Sequence, residues 1–234
     1  MSTHPFVEQV LALRPRVAVF DCDGTLWTNN TGEDFFFWSM ERGMVSDEVV
    51  QRIRPRHADY LRGHVDETVM CGEMVTMYAG LTVVELEGAA KVLFETFVRQ
   101  NIFSEMHELT LALRDAGTEI WAVSSTNEWV VKYGAAEFGI PPERVLAAKV
   151  VEKDGRVTGE LIRVPSGKGK AVAIREFIGD KVDAVFGNSV HDQAMLELAS
   201  HPFAINPNPD LEQVATARGW TIYWPEKTLT SAAR

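Results

Sequence analysis

The feature that most restricts this chain is a short apolar run, Val17-Ala18-Val19-Phe20, that ends abruptly in two carboxylates, Asp21 and Asp23, with Gly24 behind them. A run that is apolar at every residue, not at alternate ones, suits a strand buried on both faces, as in a parallel sheet. Similar runs recur at Glu119 to Val123, Val182 to Phe186 and Pro202 to Ile205, each followed by polar residues. Helical patterns lie between them, at Glu105 to Ala116, Glu128 to Phe138 and Lys170 to Ile178, closed by Gly117, Gly139 and Gly179. Glycine just past the last periodic residue is a helix stop signal. A shorter helix around Val7 to Leu13 is halted by Pro15. Strands alternating with helices predict an α/β fold with a doubly wound, mostly parallel sheet.

Two stretches interrupt the alternation. Residues 30–103 contain no buried strand and read as four helices, Asp34 to Met44, Asp47 to Leu61, Glu67 to Tyr78 and Val83 to Gln100. The expected organisation is therefore an α/β core from residues 1–29 and 104–234, with residues 30–103 as an all-helical cap. The second interruption, Val145 to Val164, joins two β-prone runs through Asp154-Gly155, a hairpin signal.

Bulk composition narrows the partners. With 23 Lys+Arg against 33 Asp+Glu, the net charge is -10, whereas nucleic-acid binders need a basic surface to displace counterions. Nucleic acid is therefore not an expected partner. A phosphate site on such a chain has to be made locally positive by a metal, a lysine and backbone N–H groups. The two cysteines, Cys22 and Cys71, have neither ligand spacing nor a framework pattern and suit free thiols in a reducing compartment. Met1 to Val10 lacks the basic-then-apolar order of a secretion signal, and no apolar run reaches 18 residues. A cytoplasmic location without a membrane partner is the expectation. Monomer and homodimer both remain open.

In an open α/β sheet, ligands bind beyond the carboxyl ends of the strands. After the first strand stand Asp21, Asp23 and Gly24; after the second, Ser124, Ser125 and Thr126; after the third, Asn188 to Asp192, with Lys170 on the helix preceding it. These groups suit phosphoryl transfer, which demands charge neutralisation and in-line positioning. A carboxylate nucleophile divides hydrolysis into making and breaking an acyl phosphate. A second acid two residues on can handle protons. Gly24 permits a tight turn that offers N–H groups to phosphate oxygens. Ser124 and Lys170 can hold the phosphoryl group.

Phe20-Asp21-Cys22-Asp23-Gly24-Thr25-Leu26 resembles the first motif of the haloacid dehalogenase superfamily. Val123-Ser124, Lys170 and Gly187-Asn188-Ser189-Val190-His191-Asp192 fall in order at its second, third and fourth motifs. The helical insert resembles the cap of its phosphoserine-phosphatase-like branch. The resemblance implies a phosphatase acting on a small phosphorylated metabolite, with Asp21 as nucleophile and magnesium ligand. It makes Asp23 the general acid/base, ligating magnesium through its carbonyl. Ser124 and Lys170 would hold the phosphoryl group, with Ser125 beside them or, like Thr126, capping the next helix. Asn188 and Asp192 complete the implied metal set, although Asp192 also suits a helix cap.

One departure stands out: Asn188 occupies the place of an acid that ligates magnesium directly. An amide oxygen still ligates magnesium, but one negative charge is lost and affinity should fall. Superfamily dehalogenases also carry an asparagine near this place, yet they lack the acid that Asp23 supplies, which favours phosphatase. A non-catalytic phospholigand-binding protein or a phosphotransferase is also compatible with this pattern.

For substrate selection the cap offers Glu33, Phe36, Glu73 and Met74. Glu33 lies near the glutamate that meets the substrate amine in phosphoserine phosphatases; equally, it suits the first turn of a helix. Their carboxylate-binding arginine would fall near Met74, where no base stands, so phosphoserine is disfavoured. An acidic and aromatic cap suits a substrate with a cationic or amine end.

Overall fold

A computed structural model describes residues 4–226, 228 and 229. Met1 to Thr3, the start of the segment read for a leader, lie outside the described residues. The sheet is seven-stranded, from β1 (Val17–Phe20), β2 (Glu119–Asn127), β3 (Val145–Lys153), β4 (Arg156–Arg163), β5 (Val182–Gly187), β6 (Ala199–Ile205) and β7 (Thr221–Tyr223). Its order is β4-β3-β2-β1-β5-β6-β7, and every pairing is parallel except β3 with β4. The chain builds outward from β1 on one side, then returns past it to build the other. A crevice therefore opens at the carboxyl end of β1, between β2 and β5.

Register there is set by aromatics. Phe20 pairs with Phe186, and Phe186 with Phe203, across β1, β5 and β6. Their rings stack at 4.2 and 4.7 Å. Such cross-strand contacts penalise slippage. β5 and β6 run one and two residues past this register, and Asp21 N–H donates to the Phe186 carbonyl at 2.9 Å.

The helices are α1 (Pro5–Ala12), α2 (Thr31–Glu41), α3 (Asp47–Leu61), α4 (Glu67–Thr76), α5 (Val83–Leu93), α6 (Ser104–Asp115), α7 (Glu128–Glu137), α8 (Lys168–Phe177), α9 (Gln193–Leu196) and α10 (Pro209–Arg218). Helix α2 begins three residues earlier than the apolar pattern suggests, because the Asn30 side chain caps it by accepting from Glu33 N–H. The expected continuous helix to Gln100 changes character after Leu93. A π-helical turn, Phe94–Val98, and a 3-10 turn, Arg99–Asn101, follow. Phe94 meets Trp27 edge-to-face at 5.4 Å, and α7 closes on both rings at Gly134, where a Cβ would lie 2.6 Å from Phe94. Asp154 and Gly155 both adopt positive φ, 52° and 74°, the backbone of a two-residue hairpin turn.

Apolar side chains fill both faces of the sheet, around Phe20, Met106 and Phe138 on one and Val19, Ile174 and Val185 on the other. A third core lies within the helical stretch, from Phe35, Met70, Tyr78, Leu86 and Leu93, and runs on into Trp129 and Val130 of α7 and Ala148, Val150 and Val157 of the hairpin. The helices of the insert thus rest on the β2–β4 side of the sheet. Among the described residues no helix is long and apolar enough to cross a membrane.

Candidate active site

The end of β1 delivers Asp21 into a nearly dry position, 5% exposed. From α8, Lys170 Nζ donates to Asp21 Oδ1 at 2.6 Å and to Asp192 Oδ1 at 2.6 Å, while Thr25 Oγ1 donates to Asp21 Oδ2 at 3.0 Å. Burial, reinforced by Asp192, pushes the Asp21 carboxyl up to about 7 against the pull of Lys170. For Lys170, burial works against the charge, but Asp192 and Asp21 outweigh it and hold the ammonium above its ordinary range. One buried cation is thus shared by two buried carboxylates.

Asp23 points to the other side of the turn. Its Oδ1 accepts from Trp27 Nε1 at 2.6 Å, Thr31 N at 3.0 Å and Thr31 Oγ1 at 2.6 Å, and its Oδ2 from Thr126 Oγ1 at 2.8 Å. Gly32 is glycine for this reason: a Cβ there would lie 2.8 Å from Thr126 Oγ1. Gly24 adopts φ 74°, and its open side is filled by the Asn188 amide, 1.9 Å from where a Cβ would be. The N–H of Gly24 itself donates to the Trp27 carbonyl at 2.8 Å.

Asp192 uses both oxygens internally. Beyond Lys170 on Oδ1, its Oδ2 accepts from the N–H groups of Asn188 and Ser189, each at 2.9 Å. Gly187 makes room for it, since a Cβ there would lie 2.6 Å from Asp192 Cβ. In this arrangement Asp192 positions Lys170 and the Asn188 loop. Among the described residues no three His, Cys, Asp or Glu gather as metal ligands. The oxygens grouped around the β1 turn, from the Asp21 carboxylate, the Asp23 carbonyl and the Asn188 amide, are hard donors of the kind magnesium takes. Two buried carboxylates, Asp21 and Asp192, share the one ammonium of Lys170.

Around these groups lies a cavity of about 290 Å³. Asp21, Asp23, Ser124, Ser125, Lys170 and Asn188 line it from the sheet, and Glu33 and Met74 from the helical insert. Ser124 Oγ accepts from Thr126 N at 3.2 Å, and Asn127, not Ser125 or Thr126, caps α7. Phe36 and Glu73 are not brought to the cavity. Phe36 is buried against Phe37 and His57, and Glu73 holds Arg56 through three hydrogen bonds of 2.6 to 3.2 Å. Motif reading missed Thr25, Thr31 and Trp27, which orient the two acids, and Tyr60, Glu67, Cys71 and Tyr78, which line the cavity. A stripe at Glu67, Cys71, Met74 and Tyr78, spaced four, three and four, was a usable signal for a helix face. Cys22 and Cys71 are both free thiols.

Known proteins resemble this chain in sequence and in fold. Residues 18–197 match the family model for haloacid dehalogenase-like hydrolases. A histidinol-phosphatase of Neisseria meningitidis is 25% identical over 217 residues, 88% of this chain and 97% of that protein. A phosphoserine phosphatase of Mycobacterium tuberculosis is 31% identical over 149 residues, 61% of this chain and 48% of that one. The crystal structure of a protein of unknown function from Bordetella pertussis Tohama I superposes with a TM-score of 0.78 at 26% identity, covering 89% of this chain and 97% of that chain. A substrate-bound phosphoserine phosphatase shares the fold at a TM-score of 0.59 and 19% identity, over 92% of this chain and 95% of its own. The chain belongs to the haloacid dehalogenase-like hydrolases.

Proposed function

We propose that this protein hydrolyses a small phosphomonoester through an aspartyl-phosphate formed on Asp21, with magnesium as cofactor and in the cytoplasm. The observation that carries the reading is the buried Asp21–Lys170–Asp192 chain with a second acid, Asp23, two residues beyond the nucleophile. An Asp21 oxygen attacks phosphorus as the bond to the leaving oxygen breaks, and Asp23 gives that oxygen a proton. Water then attacks the acyl phosphate, losing its proton to Asp23 and releasing inorganic phosphate. Of the four hydrogen bonds Asp23 accepts, three fall on Oδ1 and one on Oδ2, which leaves Oδ2 a site for the proton. Lys170 and Ser124 neutralise and orient the phosphoryl oxygens. Magnesium, held by the Asp21 carboxylate, the Asp23 carbonyl and the Asn188 amide oxygen, supplies the positive charge that lets a phosphate dianion approach two carboxylates. Residues 30–103 act as the unit that chooses the substrate.

Asn188 favours a second reading, a phospholigand-binding protein with a weakened metal site. Turnover of a generic aryl phosphate, with magnesium and with chelator, separates the two. The wild type is expected to turn over with magnesium and Asp21→Asn to be inert while melting normally. Hydrolysis retained by Asp21→Asn would reject the aspartyl-phosphate.

A further inference from the structure

Resting on the phosphatase reading, the chemistry of the cavity wall indicates what the insert admits. Helix α4 and the turn after it present Glu67, Cys71, Met74 and Tyr78 to the cavity. Glu67 Oε2 lies 2.5 Å from His191 Nδ1 on the loop that also carries Asn188, and no partner among the described residues takes Oε1. Glu33, on α2, is arranged alike, with His57 Nε2 at 2.9 Å from Oε1 and no partner among the described residues on Oε2. Each carboxylate is thus steadied by one imidazole and keeps an oxygen for a ligand. Glu67 is the better shielded, with 13% of its side chain exposed against 32% for Glu33. A charge-assisted bond is stronger where water is excluded.

The cations lining the cavity are already committed, Lys170 to Asp21 and Asp192, His191 to Glu67. Arg56 of the insert is held by Glu73 outside the lining. A substrate carboxylate entering here would meet two glutamates and, among the described residues, no free base. An ammonium group would find two open carboxylate oxygens and the rings of Tyr60 and Tyr78.

We infer that Glu67 is a specificity-determining residue, through which the insert, aided by Glu33, selects a phosphomonoester whose far end is a cation and bears no carboxylate. The test is steady-state kinetics of the magnesium-loaded full chain on four probes. These are an aryl phosphate, a 2-aminoalkyl phosphate, its 2-hydroxyalkyl counterpart and the matching 2-amino-3-phospho-oxy acid. The wild type is expected to favour the aminoalkyl over the hydroxyalkyl ester by about tenfold or more in kcat/KM, and over the amino acid by a similar factor. Glu67→Gln should cut the amine-to-hydroxyl ratio by about tenfold, through KM more than kcat. Glu67→Lys should bring the amino acid above the amine. If Glu67 merely ties α4 to the His191 loop, Glu67→Gln and His191→Gln will depress all four probes alike, and the inference is overturned. A wild-type amine-to-hydroxyl ratio within about twofold of one, with the aryl ester still hydrolysed, overturns it too and leaves the phosphatase reading intact. Inertness toward all four overturns both.

Discussion

Replacing Lys170 by methionine keeps most of the side chain's length and removes the one cation shared by Asp21 and Asp192. Lys170 is 3% exposed, and the carboxylates it serves are 5% and 0% exposed. Breaking a buried ion pair by deleting one partner typically costs about 3–5 kcal/mol. Some of that is recovered by protonation: Asp21 already sits at about 7 with the lysine in place and rises further without it. The lower end, about 3 kcal/mol, is therefore expected near neutral pH. For a chain of this size each kcal/mol moves Tm by about 2–4 °C, so Lys170→Met should melt about 6–12 °C below wild type in chelator. The sign with pH follows from the same carboxyl. A folded pKa above the ordinary 3.8 contributes stability that is complete at low pH and is lost as pH climbs through the folded value. The variant's Asp21 lies above the wild-type value, so its deficit widens as pH rises above about 7. Calorimetry at about pH 6 and pH 9 reads this directly. Adding Asp192→Asn removes one of the stranded charges and should return about 1 kcal/mol or more, a coupling that a double-mutant cycle isolates. A Tm for Lys170→Met within about 2 °C of wild type, or strict additivity in the cycle, would refute the idea that Lys170 balances two buried charges.

Two further outcomes follow from neighbouring contacts. Asn188→Asp restores a third carboxylate beside Gly24 and is expected to tighten magnesium binding by about tenfold or more in titration calorimetry, ligand charge being a main control of affinity; unchanged affinity would remove Asn188 from the ligand set. Gly32→Ala puts a methyl 2.8 Å from Thr126 Oγ1 and should displace its hydrogen bond to Asp23. A lower kcat with Tm moved by less than about 2 °C is expected, and an unaltered rate would make that bond dispensable.

How much of this was legible depends on where each signal resides. Asp21 could be read because an all-apolar strand can end only where the chain leaves the sheet, and Asp154-Gly155 because few other residues accept the positive φ its turn needs. Asp192 was ambiguous: a cap, a metal ligand and a lysine partner have the same spelling, and only the paired contacts to Lys170 and the loop N–H groups separate them. Phe36 and Glu73, unlike Glu33 and Met74, were misread for a different reason. Phe35, Phe36, Phe37 and Trp38 are aromatic all round the helix, so periodicity does not say which side faces the substrate. On α4 the sequence pattern points to Glu73, whereas the acid turned into the cavity is Glu67, six residues earlier.

The face α4 presents is fixed by residues remote in sequence. At Gly72 a Cβ would lie 2.9 Å from a terminal methyl of Leu161 of β4, so helix and hairpin pack closely there. The insert's core continues through Trp129, Ala148, Val150 and Val157, each at most 3% exposed. An insert swinging away as one rigid lid would uncover those side chains to water, at roughly 25 cal/mol for each Å² of apolar surface. Opening that leaves this seam closed avoids the cost. Motion that admits substrate is therefore expected within the insert, where α2 and the start of α4 carry Glu33 and Glu67, and the hairpin seam should stay closed. Hydrogen exchange during turnover distinguishes the two: faster exchange in β3 and β4 would mean that the whole insert lifts.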